Sequence, residues 1–155
     1  MSVQPIPSGY STITAQLAIE GAAKAIAFYE KAFGAVVVDK AMDPGGQKVW
    51  HAAVKIGSSM IMINDVFPEM DPTAQQSVAN FWLYVEDVDA SFKRAVEAGA
   101  KASMPPADMF WGDRMAHVVD PFGQKWAIAT HIKDMTPDEM KKAEAEFVAS
   151  MKQAH

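Results

Sequence analysis

The chain has 155 residues, half of them hydrophobic and 21% charged, with a formal net charge of -5 and no cysteine. That balance fits one compact domain or two small half-domains and argues against disorder, collagen or coiled coil over the whole chain. The acidic excess, with no basic run, excludes nucleic acid as an expected partner, and the absence of cysteine excludes disulfides, thiolate zinc sites and a cysteine nucleophile.

The first residues, Met1-Ser2-Val3-Gln4-Pro5, show neither a basic n-region nor an apolar h-region, so no secretory signal is expected. No apolar stretch approaches the roughly 18–20 residues that a membrane span needs. A cytoplasmic protein without a membrane partner is expected. Residues 12–19 alternate as a strand, with Ile13, Ala15, Leu17 and Ile19 on one face and Thr12, Thr14 and Gln16 on the other. Residues 22–33 then turn helical, with Ala22, Ile26, Tyr29 and Phe33 as the stripe and Gly34 as the stop. Residues 35–40 read as a short strand, and Asp43-Pro44-Gly45-Gly46 as a turn. A strand follows from Lys48 to Ile56, then a tight hairpin at Gly57-Ser58-Ser59 and a strand from Met60 to Asn64.

Residues 67–77 carry two prolines and polar side chains and read as a linker. Residues 79–85 are strand-like, and Asp87 caps a helix striped by Val88, Phe92, Ala95 and Val96 that ends at Gly99. Residues 101–111, with Pro105-Pro106, read as irregular. Strands at Arg114–Val119 and Trp126–Thr130 flank the turn Asp120-Pro121-Phe122-Gly123. In the tail, Thr136-Pro137-Asp138-Glu139 joins a capping box to a helix-starting proline, and Met140, Phe147 and Met151 form a stripe for packing on the domain or on a second copy. His155 reads as a mobile terminus.

The two halves repeat. Gly34 and Gly99 differ by 65 positions, Gly57 and Gly123 by 66, and His51 and His117 also by 66. Four matches in consistent order, with Ala-Phe-Gly-Ala at 32–35 echoing Glu-Ala-Gly-Ala at 97–100, indicate internal duplication. The expected fold is α+β: two βαβββ modules at 8–66 and 78–131, joined by the linker 67–77 and followed by a helical tail at 132–155. The paired sheets are expected to enclose one concave space lined from both halves.

Phe28-Tyr29-Glu30-Lys31-Ala32-Phe33-Gly34-Ala35 resembles the first-helix motif of the vicinal oxygen chelate superfamily, which holds glyoxalases, bleomycin-resistance proteins and extradiol dioxygenases. Val85-Glu86-Asp87-Val88-Asp89 resembles its second strand-to-helix junction. His51–Gly57, Gly112-Asp113-Arg114 and Asp120–Trp126 resemble the PhnB-like branch. The resemblance covers roughly residues 10–131 and implies curled sheets around a cavity. It also implies metal-ligand positions on the first and last strands of each module. Those positions fall near Thr14, near Asn80, at Ala127 and near Ile61 or Met62, and none holds His, Glu or Asp. No metal site and no cofactor are therefore expected.

Strand alternation supplies the rest of the cavity wall. Thr14, Gln16, Asn80, Trp82 and Tyr84 are expected to face the hollow, together with His51, Ala53 and Lys55. Trp50, Ala52, Val54 and Ile56 are expected on the helix side, and His117 follows His51 by the repeat. The hollow then carries two histidines, two aromatics, Asn and Gln, with few or no carboxylates, which is the usual make-up of a small-molecule pocket. His51 and His117 read either as hydrogen-bonded strand residues or as a pair for ligand contact or acid–base work. His131 can approach the rim. Arg114 reads as an oxyanion clamp or as a salt-bridge partner of Asp113 or Asp120. Trp82, Tyr84, Phe110 and Trp111 suit stacking on a planar ligand or plain packing. Most of the eleven methionines read as core filler, with Met60 and Met62 on a strand of the hollow.

Three functions follow: a metal-free small-molecule-binding protein that sequesters its ligand, a divalent-metal glyoxalase- or dioxygenase-like enzyme, and a metal-independent enzyme using His51 or His117 as base. A homodimer is the expected assembly.

Overall fold

The computed structural model describes residues 2–154; Met1 and His155 lie outside it. The order is β1 (Ala15–Ala18), α1 (Ala22–Phe33), β2 (Val36–Met42), β3 (Val49–Ile56), β4 (Ser59–Asn64), β5 (Asn80–Tyr84), α2 (Val88–Ala98), β6 (Lys101–Asp108), β7 (Asp113–Val119), β8 (Lys125–His131) and α3 (Pro137–Gln153). The first sheet runs β1-β4-β3-β2 and the second β5-β8-β7-β6. In each, the outer strand β1 or β5 pairs parallel with the last strand, and the other pairs are antiparallel. This is the α+β pair of βαβββ modules with a C-terminal helix.

The helices form where their stops and caps allow. Gly34 takes φ 67°, which costs a glycine nothing, and its N–H closes on the Glu30 carbonyl. Asp87 accepts the Ala90 N–H at 3.1 Å and starts α2. Leu17, Val54, Ile61 and Ile63 from the first sheet, Ile19 just after β1, and Ala116, Val118, Trp126 and Ile128 from the second sheet join both helices in one core. At its centre Trp126 packs 4.5 Å from both Phe33 and Phe81, centroid to centroid. The modules therefore meet through their helix sides. They form two separate open sheets, which corrects the expectation of one hollow enclosed by both halves: the buried side of each sheet is spent on the core it shares with both helices.

Three local expectations are also corrected. β1 starts at Ala15, because its pairing with β4 begins at Ala15↔Ile61; Ile13 lies before it and is 88% exposed. Residues 101–108 form a strand despite Pro105 and Pro106. It is the edge strand, and its register slips between Ala102 and Met104 and again between Met104 and Ala107, where missing N–H groups cost no ladder bond. In β3, Ala41 pairs with His51 but Met42 pairs with Val49, so Trp50 is the extra residue of a bulge. Val49 takes the helix side, and Trp50 sits beside His51 on the open face.

The tail attaches by its root. The Gly112 carbonyl accepts the N–H groups of Ile132 and Lys133, and α3 begins with the complete capping box of Thr136 and Glu139. Phe147 stacks 4.9 Å from Phe110, but no residue of α3 is buried and Val148 and Met151 stay exposed. No helix among the described residues is long and apolar enough to cross a membrane.

Candidate functional site

A cavity of about 610 Å³ lies between the open face of the first sheet and residues 66–77, which fold back over it. Gln16 comes from β1, Ala41 from β2, Trp50 and His51 from the β3 bulge, and Asn64 from β4. Phe67 and Met70 come from the covering segment, with the Phe67 ring edge-on to Trp50 at 6.5 Å. Polar groups converge at one end: Gln16 Nε2 donates to Asn64 Oδ1 at 3.0 Å, and Asn64 Nδ2 to the Asp65 carbonyl at 2.9 Å. Aromatic walls with a few placed polar groups are what small-molecule pockets use.

Asp65 and Asp71 also line this space, two carboxylates where few or none are expected from strand alternation. Asp65 is buried and committed. Its Oδ1 accepts the N–H groups of Gly21 and Ala22, and its Oδ2 accepts that of Val49 at 2.7 Å. Sequence reading missed it. The available signal was Gly21, which precedes α1 and has no side chain to cap it, so the helix takes its acceptor from the residue that follows β4, 43 positions beyond Ala22.

The second sheet carries the other expected residues on its own open face. Trp82 and Tyr84 are 47% and 60% exposed there, and Trp111 lies 6.3 Å from Trp82. Asn80 and His117 are exposed; His117 pairs with Met104 on one side and Ala127 on the other. His51 and His117 thus lie on different sheets and do not form a pair within the chain. At the end of this face Asp113 is buried and ties β7 to β5, β8 and the turn that carries Trp111. It accepts Tyr84 Oη–H and Trp111 Nε1–H, each at 3.0 Å, and lies 2.8 Å from His131 Nδ1. His131 Nε2 lies 2.8 Å from Asp134. Burial opposes the charge on Asp113, but the bonds from His131, Tyr84 and Trp111 outweigh it and hold the carboxyl below the usual range. Asp113 first and Asp134 second raise the His131 imidazole above its ordinary value.

Arg114 does not enter a hollow. It shares the helix side of β7 with Ala116 and Val118, grips Asp89 of α2 through Nε and Nη2 at 2.8 and 3.0 Å, and donates to Asp108 at 3.0 Å. The salt bridge is therefore made, with partners other than Asp113 or Asp120. Thr14 lies before β1 and donates to the Ser11 carbonyl.

The positions that the sequence resemblance implies for metal offer poor donors. Ile61 packs in the core, Met62 offers a thioether, Asn80 is exposed opposite Lys125, and Ala127 has only a methyl group. Among the described residues no three His, Asp or Glu side chains lie close enough to hold a metal ion. This donor chemistry does not fit a divalent-cation centre.

Two βαβββ modules that share one core and leave the other face of each sheet open, with Trp50 on the first and Trp82 and Tyr84 on the second, define the architecture. The chain belongs to the glyoxalase/bleomycin resistance protein/dioxygenase superfamily, whose family model matches residues 13–128. It is 38% identical over 138 residues to the uncharacterized protein Rv0887c of Mycobacterium tuberculosis, covering 84% of this chain and 81% of that one. Among solved structures, TioX from Micromonospora sp. ML1 is similar with a TM-score of 0.65 and 24% identity, over 79% of this chain and 99% of TioX. A glyoxalase-related enzyme from Fulvimarina pelagi is similar with a TM-score of 0.61 and 21% identity, over 77% of this chain and 87% of that one. These two likenesses concern the fold.

Proposed function

We propose that the chain is a metal-free binding protein that sequesters a small planar molecule in the cavity of the first sheet, working as a cytoplasmic homodimer. The observation that carries this reading is the pairing of Trp50 and His51 on one bulge, which brings a stacking ring and a hydrogen-bonding ring into the same 610 Å³ space. The Trp50 ring stacks on a flat ligand with the Phe67 ring standing perpendicular beside it, and Gln16, His51 and Asn64 read its polar edge. The open face of the second sheet, with Trp82, Tyr84 and Trp111, supports the dimer. A second copy seated there would take the exposed Trp82 and Tyr84 rings out of water.

The test is a titration of tryptophan fluorescence with a panel of planar aromatic compounds. It is run on the protein and on Trp50→Ala and His51→Ala, with metal content measured on protein purified without chelator. Saturable quenching that is lost in Trp50→Ala and weakened in His51→Ala supports the reading. A stoichiometric transition metal, lost together with turnover of an α-ketoaldehyde in His51→Ala, overturns it. Light scattering at micromolar concentration reads the assembly: twice the 16.9 kDa chain mass supports the dimer and a single mass removes it.

A further inference from the structure

The segment that covers the cavity is held at its two ends and nowhere between. At the far end Ser77 exchanges two hydrogen bonds with Ala18, Gln76 Oε1 accepts the Glu20 N–H, and the buried Gln124 donates to the Ser77 carbonyl at 2.7 Å. At the near end Val66 is buried and the Phe67 ring stands against Trp50, and the Lys48 ammonium ties the two residues and Glu69 together. Lys48 Nζ lies 3.2 Å from the Val66 carbonyl, 4.9 Å from the centre of the Phe67 ring and 3.9 Å from Glu69. Its own backbone is fixed by Asp43, which accepts the Lys48 N–H at 3.0 Å and donates its own N–H back to the Lys48 carbonyl at 2.8 Å.

Between these ends the segment bonds to itself. Met70 and Asp71 donate to the Phe67 carbonyl, and Thr73 and Ala74 donate to Asp71. Pro68 and Pro72 have no N–H to offer a neighbouring strand. Met70 is 69% exposed, so little apolar area holds the middle down. Small turns closed on themselves, with anchors at both ends, move as a unit.

We infer that residues 67–75 are a lid over the cavity of the first sheet and that Lys48 is its latch. The inference rests on reading that cavity as a binding site. The latch combines a carbonyl, a ring face and a carboxylate, each weak where water reaches it, so it opens readily and salt loosens it.

Amide hydrogen exchange on the ligand-free protein, followed by peptide mass, tests the lid separately from the binding reading, because no ligand enters the measurement. Lys48→Met keeps the apolar stem and removes the charge. The expected result is exchange over residues 67–75 faster by about tenfold, with β3, β4 and residues 76–77 unchanged. Raising the ionic strength is expected to speed the same peptides in the unsubstituted protein and to leave Lys48→Met unmoved. Unchanged exchange in Lys48→Met overturns the latch, and equal acceleration across β3 and β4 shows a general tether instead of a lid. If Lys48→Met fails to fold, the salt series on the unsubstituted protein decides: acceleration confined to 67–75 supports the lid, and none overturns it.

Discussion

Tyr29 of α1 donates a 2.6 Å hydrogen bond to Asp120 Oδ2 in the turn between β7 and β8, so a helix of the first module is fastened to a hairpin of the second. Trp126 Nε1 shares that oxygen at 3.0 Å, and the N–H groups of Phe122 and Gln124 take the other. Burial first, and Asp120 second, raise the Tyr29 phenol far above its ordinary value, so it stays a donor at any working pH. Tyr29→Phe is expected to cost about 1–2 kcal/mol in urea unfolding, and Asp120→Ala about 3–5 kcal/mol, because the latter strands several buried donors at once. Equal costs for the two variants would contradict this account.

The Asp113–His131–Asp134 chain makes stability depend on pH in a defined window. The folded His131 value is raised, so its contribution is complete below the unfolded histidine value of about 6.5 and is lost as pH rises through the folded value. The folded Asp113 value is lowered, so its contribution is present above the unfolded aspartate value of about 3.9 and is lost as pH falls through the folded one. The gap in melting temperature between the protein and His131→Gln is therefore expected to be widest between about pH 4.5 and 6.5 and to narrow above that. An NMR titration placing His131 below 6.5 would refute it.

Gly112 stands at φ 99°, and a Cβ there would collide with the carbonyl oxygen of Lys133. Gly112→Ala is expected to lift the root of the tail and destabilise the protein by about 2–4 kcal/mol. Proteolysis should then cut between His131 and Thr136 before any other bond. A variant as resistant as the original chain counts against the tail being rooted here.

Arg114→Lys keeps one charge and loses the two-pronged grip on Asp89. This pair lies at the surface, so the melting temperature is expected to fall by about 2 °C or less. Ligand quenching at Trp50 is expected to be unchanged, since Arg114 lies outside the cavity. Weaker quenching would return Arg114 to the site.

Much of this architecture is legible in the residues. The stripe from Ala22 to Phe33 with Gly34 behind it, Asp87 before Val88, and the 66-residue offset between Gly57 and Gly123 mark the helices, the hairpins and the duplication. The site is less legible, because alternation loses its phase wherever a strand gains a residue. One bulge puts Trp50 on the face that strict alternation denies it. Asp65 and Asp113 are hidden for another reason: their partners come from elements far along the chain or across the sheet, and no local pattern records a cap or a clasp of that kind. His51 and His117 match by position, but the sheets that carry them face separate spaces.

The common core of the two modules sets how such a chain can change over time. Everything that must be kept lies inside, where α1, α2, Trp126 and the buried sides of both sheets depend on one another. The open faces owe that interior almost nothing. A new residue at Trp50 or at Trp82 changes one open face and leaves the shared core as it was. Duplication here leaves a single indivisible body with two surfaces free to specialise apart.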